Sequence, residues 1–175
     1  MDKGLIHIYT GKGKGKTTAA MGLVLRALGY DKKIYINQFL KGRETGEKIF
    51  LEKLPQVTFK RSGETSRFYF NMTQKEKDEV NANIKKSWDR IVKTGKSSKF
   101  DIMVLDEILP VVTRGIIAVE AMVELMQNKS QTTELVLTGR NAPKKLKEKA
   151  DYVTEMKMIK HPFSRNIKAR KGIEY

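Results

Sequence analysis

A single-domain α/β fold, with a mostly parallel sheet flanked by helices, is what this sequence predicts, and three observations carry the prediction. Short apolar, β-prone runs alternate with helix-forming segments along the whole chain, and parallel neighbours need crossover connections that helices supply. The first run, Leu5 to Tyr9, leads without interruption into a glycine-rich loop that opens a helix. A later run, Ile102-Met103-Val104-Leu105, is apolar throughout and closes on Asp106-Glu107, the pattern of a central parallel strand with acids at its carboxyl end.

The elements follow in order. After the loop, Ala19 to Leu28 is rich in good helix formers, and Gly29 is expected to end that helix at positive φ. Ile34 to Phe39 reads as a second buried strand. A polar Lys41-Gly42-Arg43 loop follows, then a short helical stretch that Pro55 stops and a third strand at Val57 to Lys60. Residues 61 to 72 lack a strand pattern and carry Phe68-Tyr69-Phe70, which predicts a mobile loop with aromatics on it. Thr73 with Glu76 three residues on forms a capping box, and the helix it opens is expected to run to about Thr94 and to end at Gly95. A helix from about Ile116 to Asn128 and a strand at Glu134 to Thr138, ending in Gly139-Arg140, come next. A short helix after Pro143, a strand near Tyr152 to Met158 and a basic tail over about 159–175 complete a domain spanning 1–175, with no internal repeat or linker.

Composition narrows the function. The chain has 175 residues, 39% of them hydrophobic and 31% charged, enough to bury a core and unlike a disordered chain. It contains no Cys, which excludes disulfide frameworks, thiolate nucleophiles and Cys-ligated metal centres. Without a membrane-length apolar stretch or a signal peptide, a soluble cytoplasmic protein is expected. The 35 Lys and Arg exceed the 20 Asp and Glu by a net +15. Residues 1–60 hold 12 basic and 5 acidic side chains, 61–139 hold 12 and 11, and 140–175 hold 11 and 4, so the excess sits at both ends. The two ends are able to converge on one polyanion such as a triphosphate, while most other lysines serve solubility.

Thr10-Gly11-Lys12-Gly13-Lys14-Gly15-Lys16-Thr17-Thr18 is a variant P-loop. The strict pattern sets a glycine five positions before the Gly-Lys-Ser/Thr triplet, and here that position is Thr10. The physics survives, because Gly11, Gly13 and Gly15 let the backbone turn tightly and point amides at phosphate oxygens, with the helix dipole behind them. Lys16 is the natural phosphate cation, Thr17 the natural Mg²⁺ hydroxyl ligand, and Asp106 and Glu107 the acids expected to hold Mg²⁺ directly or through water. Arg140 falls just past the carboxyl end of a strand, where ligands gather in open α/β sheets. His7 reads as a strand packing residue and His161 as a tail residue, so no nucleophile and base pair can be assembled. A triphosphate cradle without an internal nucleophile either hydrolyses or transfers phosphate, or takes its nucleophile from a second substrate. A generic P-loop ATPase acting on nucleic acid and a non-catalytic nucleotide-binding module remain alternatives.

The ordered set of motifs resembles the P-loop-type ATP:corrinoid adenosyltransferases. It comprises Thr10 to Ala20 with Gly22 and Arg26-Ala27, Gln38-Phe39-Leu40-Lys41-Gly42, Val104-Leu105-Asp106-Glu107, and Thr138-Gly139-Arg140. It continues through Ala150-Asp151, Lys160-His161-Pro162-Phe163 and Lys171-Gly172-Ile173-Glu174-Tyr175, so it covers nearly the whole chain. The missing first glycine is itself a feature of that family. The resemblance implies a RecA-like sheet and a reaction in which cobalt(I) of a corrinoid attacks the 5′-carbon of ATP while the whole triphosphate leaves. It implies that Gly11 to Thr18 bind triphosphate, that Thr17 and Glu107 with Asp106 manage Mg²⁺, and that Arg26 and Arg140 contact the nucleotide. Phe68 and Phe70 lie where the family has aromatics on the corrinoid side, there proposed to exclude the lower axial ligand. Two departures are Arg67-Phe68-Tyr69-Phe70 in place of a Trp-containing stretch, and Lys12 where relatives often carry Asn. A homodimer and a reduced flavoprotein electron donor are the implied partners; nucleic acid and membrane are not expected ones.

Overall fold

The structure is a computed structural model that describes residues 3–175. Six strands form one wholly parallel sheet: β1 (Ile6–Thr10), β2 (Ile34–Phe39), β3 (Val57–Ser62), β4 (Ile102–Asp106), β5 (Glu134–Thr138) and β6 (Tyr152–Glu155). Their spatial order is β3-β2-β4-β5-β1-β6. The registers pair Ile36 with Val104, Val104 with Val136 and Ile8 with Leu137. Every strand points the same way, so Thr10, Phe39, Asp106 and Thr138 all finish at one edge, the ligand-binding edge of open α/β sheets. The phosphate-loop strand β1 and the acid-bearing strand β4 are not neighbours, because β5 lies between them.

The period-2 alternation of strand side chains divides the core in two. Ile34, Ile36, Ile102, Val104 and Val136 face α1 (Lys16–Leu28), which contributes Ala20 and Val24, and α2 (Gly46–Leu51), which contributes Leu51. Tyr35, Met103, Leu105, Leu135 and Leu137 face the other way. They are covered by α3 (Gln74–Lys96), α4 (Ile108–Thr113), α5 (Val119–Asn128) and α6 (Lys144–Lys149). Strands apolar on both faces are what a central parallel sheet requires, and β4 is buried at all five positions.

The expected capping box is present: the Thr73 hydroxyl accepts from the Glu76 amide, and the Glu76 carboxylate accepts from the Thr73 amide at 2.7 Å. Several expectations need correction. The helix runs through Gly95, where a Cβ would come within 2.7 Å of Leu125 Cδ1, so this glycine lets α5 approach α3 closely and does not end the helix. Gly29 has φ −62° and Asp31, at φ 54°, takes the left-handed turn instead. The helix expected from Ile116 begins at Val119, and the sequence reading missed α4, which follows Glu107 directly. The last strand ends at Glu155, three residues early, because Met156 turns to meet the phosphate loop. The third strand runs two residues past Lys60, to Ser62, so residues 61–72 open with the end of β3, and the rest of that segment adds a 3-10 turn, Tyr69–Asn71. Among the described residues no helix is long and apolar enough to cross a membrane.

Candidate active site

The site is built at the carboxyl edge of the sheet, from the phosphate loop outward. Gly11 and Gly15 hold φ of 101° and 113°, the left-handed region where only glycine is unstrained. The chain after β6 lies against the loop: the Gly13 amide donates to the Met156 carbonyl at 2.7 Å, and a Cβ at Gly11 would fall 2.4 Å from that oxygen. Thr10, which replaces the first P-loop glycine, has a hydroxyl that accepts from the Ala142 amide at 3.2 Å and so ties the loop's entry to the segment after β5. Lys16 is buried, and its ammonium spans the loop, donating to the Gly11 and Gly13 carbonyls at 2.9 and 2.7 Å. Burial pushes its pKa down, with Arg140 adding to the effect and Glu107 and Asp106 opposing it.

Asp106 is the hub. It is fully buried, and both carboxylate oxygens are engaged. Oδ1 accepts from the Thr17 hydroxyl at 2.9 Å and the Thr138 hydroxyl at 2.7 Å. Oδ2 accepts from Gln38 Nε2 at 3.2 Å and Lys41 Nζ at 2.7 Å. A buried carboxylate needs this many donors, since an unpaired one would be strongly penalised. Thr138, on the intervening strand, also accepts the Glu107 amide at 2.9 Å and so fixes the turn in which Glu107 holds φ 61°. Burial, and next the Asp106 charge, raise the Glu107 pKa above the usual carboxylate range, against the pull of Lys41, Lys16 and Arg140.

A cavity of about 970 Å³ opens beside this cluster. Thr17, Thr18 and Lys41 line one side and Phe68, Ile173 and Tyr175 another. Phe68 and Phe70 stack with ring centroids 5.6 Å apart and are both largely exposed, and only Phe68 lines the cavity. The C-terminal tail covers part of the opening. The Arg43 guanidinium lies 3.4 Å from the Tyr175 ring centroid, and Glu174 pairs with Lys14 at 3.3 Å and with Arg170 at 3.0 Å. Those hydrogen bonds, chiefly from Arg170, pull the Glu174 pKa down to about 2.

The structure therefore gathers Lys16, Thr17, Asp106 and Glu107, with Arg140 close enough for its charge to be felt at Lys16 and Glu107. Lys12 is exposed on the loop, as is Thr18 at the start of α1. Arg26 is not gathered: it lies in the last turn of α1, ten residues from Lys16 and hence about 15 Å along the helix. Sequence reasoning gave no role to Gln38, Lys41 or Thr138, although the polar Asn37-Gln38 pair inside a strand read as buried was a usable signal. The oxygen donors of Thr17, Asp106 and Glu107 suit Mg²⁺, which takes few protein ligands and fills its remaining positions with phosphate and water. Among the described residues no group of three or more acids and histidines gathers to hold a metal; the oxygen donors here are one hydroxyl and two carboxylates.

Strand, glycine loop and helix, with a buried acid on a nearby strand end bonded to the loop threonine, define a P-loop nucleotide-binding protein. The fold agrees: a KaiC-like protein of Pyrococcus horikoshii superposes with a TM-score of 0.56 at 16% identity, over 91% of this chain and 75% of that one. Residues 2–175 match the family described as ATP:corrinoid adenosyltransferase BtuR/CobO/CobP, and the chain belongs to that family. A corrinoid adenosyltransferase of a Sinorhizobium species is 36% identical over 99% of this chain and 81% of its own length. Those of Pseudomonas aeruginosa and Escherichia coli are 32% and 33% identical, each over 99% of this chain and covered over 85% and 87% of their own lengths.

Proposed function

We propose that this protein transfers the 5′-deoxyadenosyl group of ATP to the cobalt(I) of a corrinoid and releases tripolyphosphate. The cobalt lone pair forms the cobalt–carbon bond, and the electrons of the broken carbon–oxygen bond leave with the triphosphate. The nucleophile carries no proton, so the reaction calls for no general base, in keeping with a site that pairs no histidine with a nucleophile. What it calls for is placement and neutralisation of a leaving polyanion.

Lys16, the loop amides and the N-terminus of α1 are assigned the triphosphate, with Lys12, Lys14, Thr18 and Arg140 around it. Thr17, Asp106 and Glu107 are assigned Mg²⁺, which when bound neutralises phosphate charge. Phe68 and Phe70 are assigned the corrinoid side, and Arg26 a nucleotide contact. Its distance along α1 suits the nucleoside end, or a nucleotide held by a second subunit of a homodimer. A reduced flavoprotein is the proposed source of electrons for cobalt(I), drawn to the basic surface by charge complementarity.

The observation that carries the reading is the joining of phosphate loop and buried acid at one wall of a cavity whose other wall is aromatic and open. The test is incubation of purified protein with ATP, Mg²⁺ and chemically reduced corrinoid. Adenosylated corrinoid and tripolyphosphate are expected in equal amounts; orthophosphate release with unalkylated corrinoid would overturn the assignment in favour of an ATPase.

A further inference from the structure

Lys41 is held in place at the cation-facing side of the hub by more than its own contacts. Its loop leaves β2 through Leu40 at φ 56°, a conformation a branched side chain adopts only when its surroundings impose it. The Gly42 amide donates to the Thr65 carbonyl at 2.9 Å, and a Cβ at Gly42 would lie 2.6 Å from that carbonyl oxygen. The nearly buried Arg61 guanidinium donates to the carbonyls of Gly42 and Arg43 at 3.5 and 2.8 Å. Its Nε donates to Gln38 Oε1 at 3.3 Å, and Gln38 in turn donates to Asp106. Thus β3 braces both the loop carrying Lys41 and the carboxylate that Lys41 meets. The ammonium ends 2.7 Å from Asp106 Oδ2 and 3.2 Å from Thr17 Oγ1, between the two groups assigned to Mg²⁺.

We propose that the Lys41 ammonium is an internal counter-cation that takes the divalent-ion position between Asp106 and Thr17, so that metal enters only together with a polyphosphate. A fully buried carboxylate demands a positive partner, and Lys41 supplies it within the chain. A divalent ion and an ammonium cannot share one carboxylate oxygen and one hydroxyl at contact distance without strong repulsion. Entry of the metal therefore requires the ammonium to leave, and a bound triphosphate offers it another anion. The consequence is ordered binding: nucleotide-free protein ignores divalent ions that the nucleotide complex takes up. This inference rests on the reading of Thr17 and Asp106 as the metal-facing pair.

Mn²⁺ titration of the full chain, followed by the electron-paramagnetic-resonance signal of free ion, tests it with no turnover involved. Without ATP, Lys41→Met and Lys41→Gln are expected to bind Mn²⁺ at least about tenfold more tightly than the wild type. Lys41→Arg, which keeps the charge, is expected to stay at the wild-type level. Gln preserves a donor toward Asp106, so a folding failure of the Met variant would leave the question answerable. Equal affinity of wild type, Lys41→Met and Lys41→Gln, or wild-type Mn²⁺ binding as tight without ATP as with it, would overturn the proposal. Asp106→Asn measured with ATP, after subtraction of the Mn²⁺ taken up by ATP alone, separates the two levels: lost Mn²⁺ affinity upholds the metal-facing pair whatever Lys41 does, and unchanged affinity removes both.

Discussion

The two walls of the cavity are built on opposite principles. The wall that carries Thr17 and Lys41 is backed by a closed polar network in which Asp106 is fully buried and each of its oxygens has two donors. The wall made by Thr65 to Phe68 and the tail is open: Phe68 and Ile173 are largely exposed, and its ties are ion pairs and a cation–π contact at the surface. A triphosphate is small, rigidly charged and the same in every turnover, so a preorganised wall suits it. A corrinoid is a large flat partner that must enter and leave with a new bond, and an exposed aromatic wall suits that.

The sharpest break between the walls is expected at Lys16. Lys16→Ala should lower adenosylation by about a hundredfold to a thousandfold, the usual consequence of removing a charge-stabilising donor, and should also lower the denaturation midpoint, because it strips the buried Gly13 carbonyl of its side-chain donor. Next is Asp106→Ala, which should cost about 3 kcal/mol or more in urea unfolding by leaving Gln38, Lys41 and two hydroxyls around an unpaired space. An Asp106→Ala protein as stable as the wild type would show that the closed network is not what holds this wall. Phe68→Ala should behave oppositely: stability unchanged within about 0.5 kcal/mol and a KM for corrinoid raised by about tenfold, an effect of order 1.4 kcal/mol, with the KM for ATP unmoved. The smallest effect is Glu107→Gln. Because burial raises the folded-state pKa of Glu107, the folded form resists its ionisation. The resulting penalty is absent below the unfolded carboxylate pKa and fully present above the raised one. Glu107→Gln should therefore raise the melting midpoint at neutral pH, and the gain should vanish in acid; a gain that grows in acid would reverse the assigned direction.

On the tail, Glu174 has the opposite sign. Its pKa of about 2 means that its contacts are intact above the unfolded carboxylate value and are lost as pH falls through about 2, so the protection of the residue 170–175 amides, exchange measured against that of the free peptide at the same pH, should drop only in strong acid.

Much of the closed wall was readable before any coordinates. Glycine spacing, the strand-loop-helix order and a strand ending in two acids are local signals, and each local choice is dictated by backbone geometry or by burial on two faces. Gly29 does cap the first helix, with the left-handed turn shifted to Asp31, whereas the role of Gly95 was hidden because propensity does not reveal whether a glycine serves a turn or a close helix contact. The short helix α4 escaped because it begins at a left-handed turn at Glu107 whose amide is held by the Thr138 hydroxyl, from a strand 31 residues away.

By itself, the amino-acid order determined that a parallel α/β sheet would present a phosphate loop and two carboxylates at one edge, since those properties follow from periodicity and residue chemistry within short windows. Only the tertiary structure decided that Lys41, Gln38 and Thr138 converge on Asp106, and that Glu174 and Tyr175 fold back over Lys14 and Arg43. The physical reason is that a buried charge must be satisfied by donors wherever in the chain they come from. Which strands become neighbours is settled by packing of the whole sheet, not by any stretch of sequence read alone.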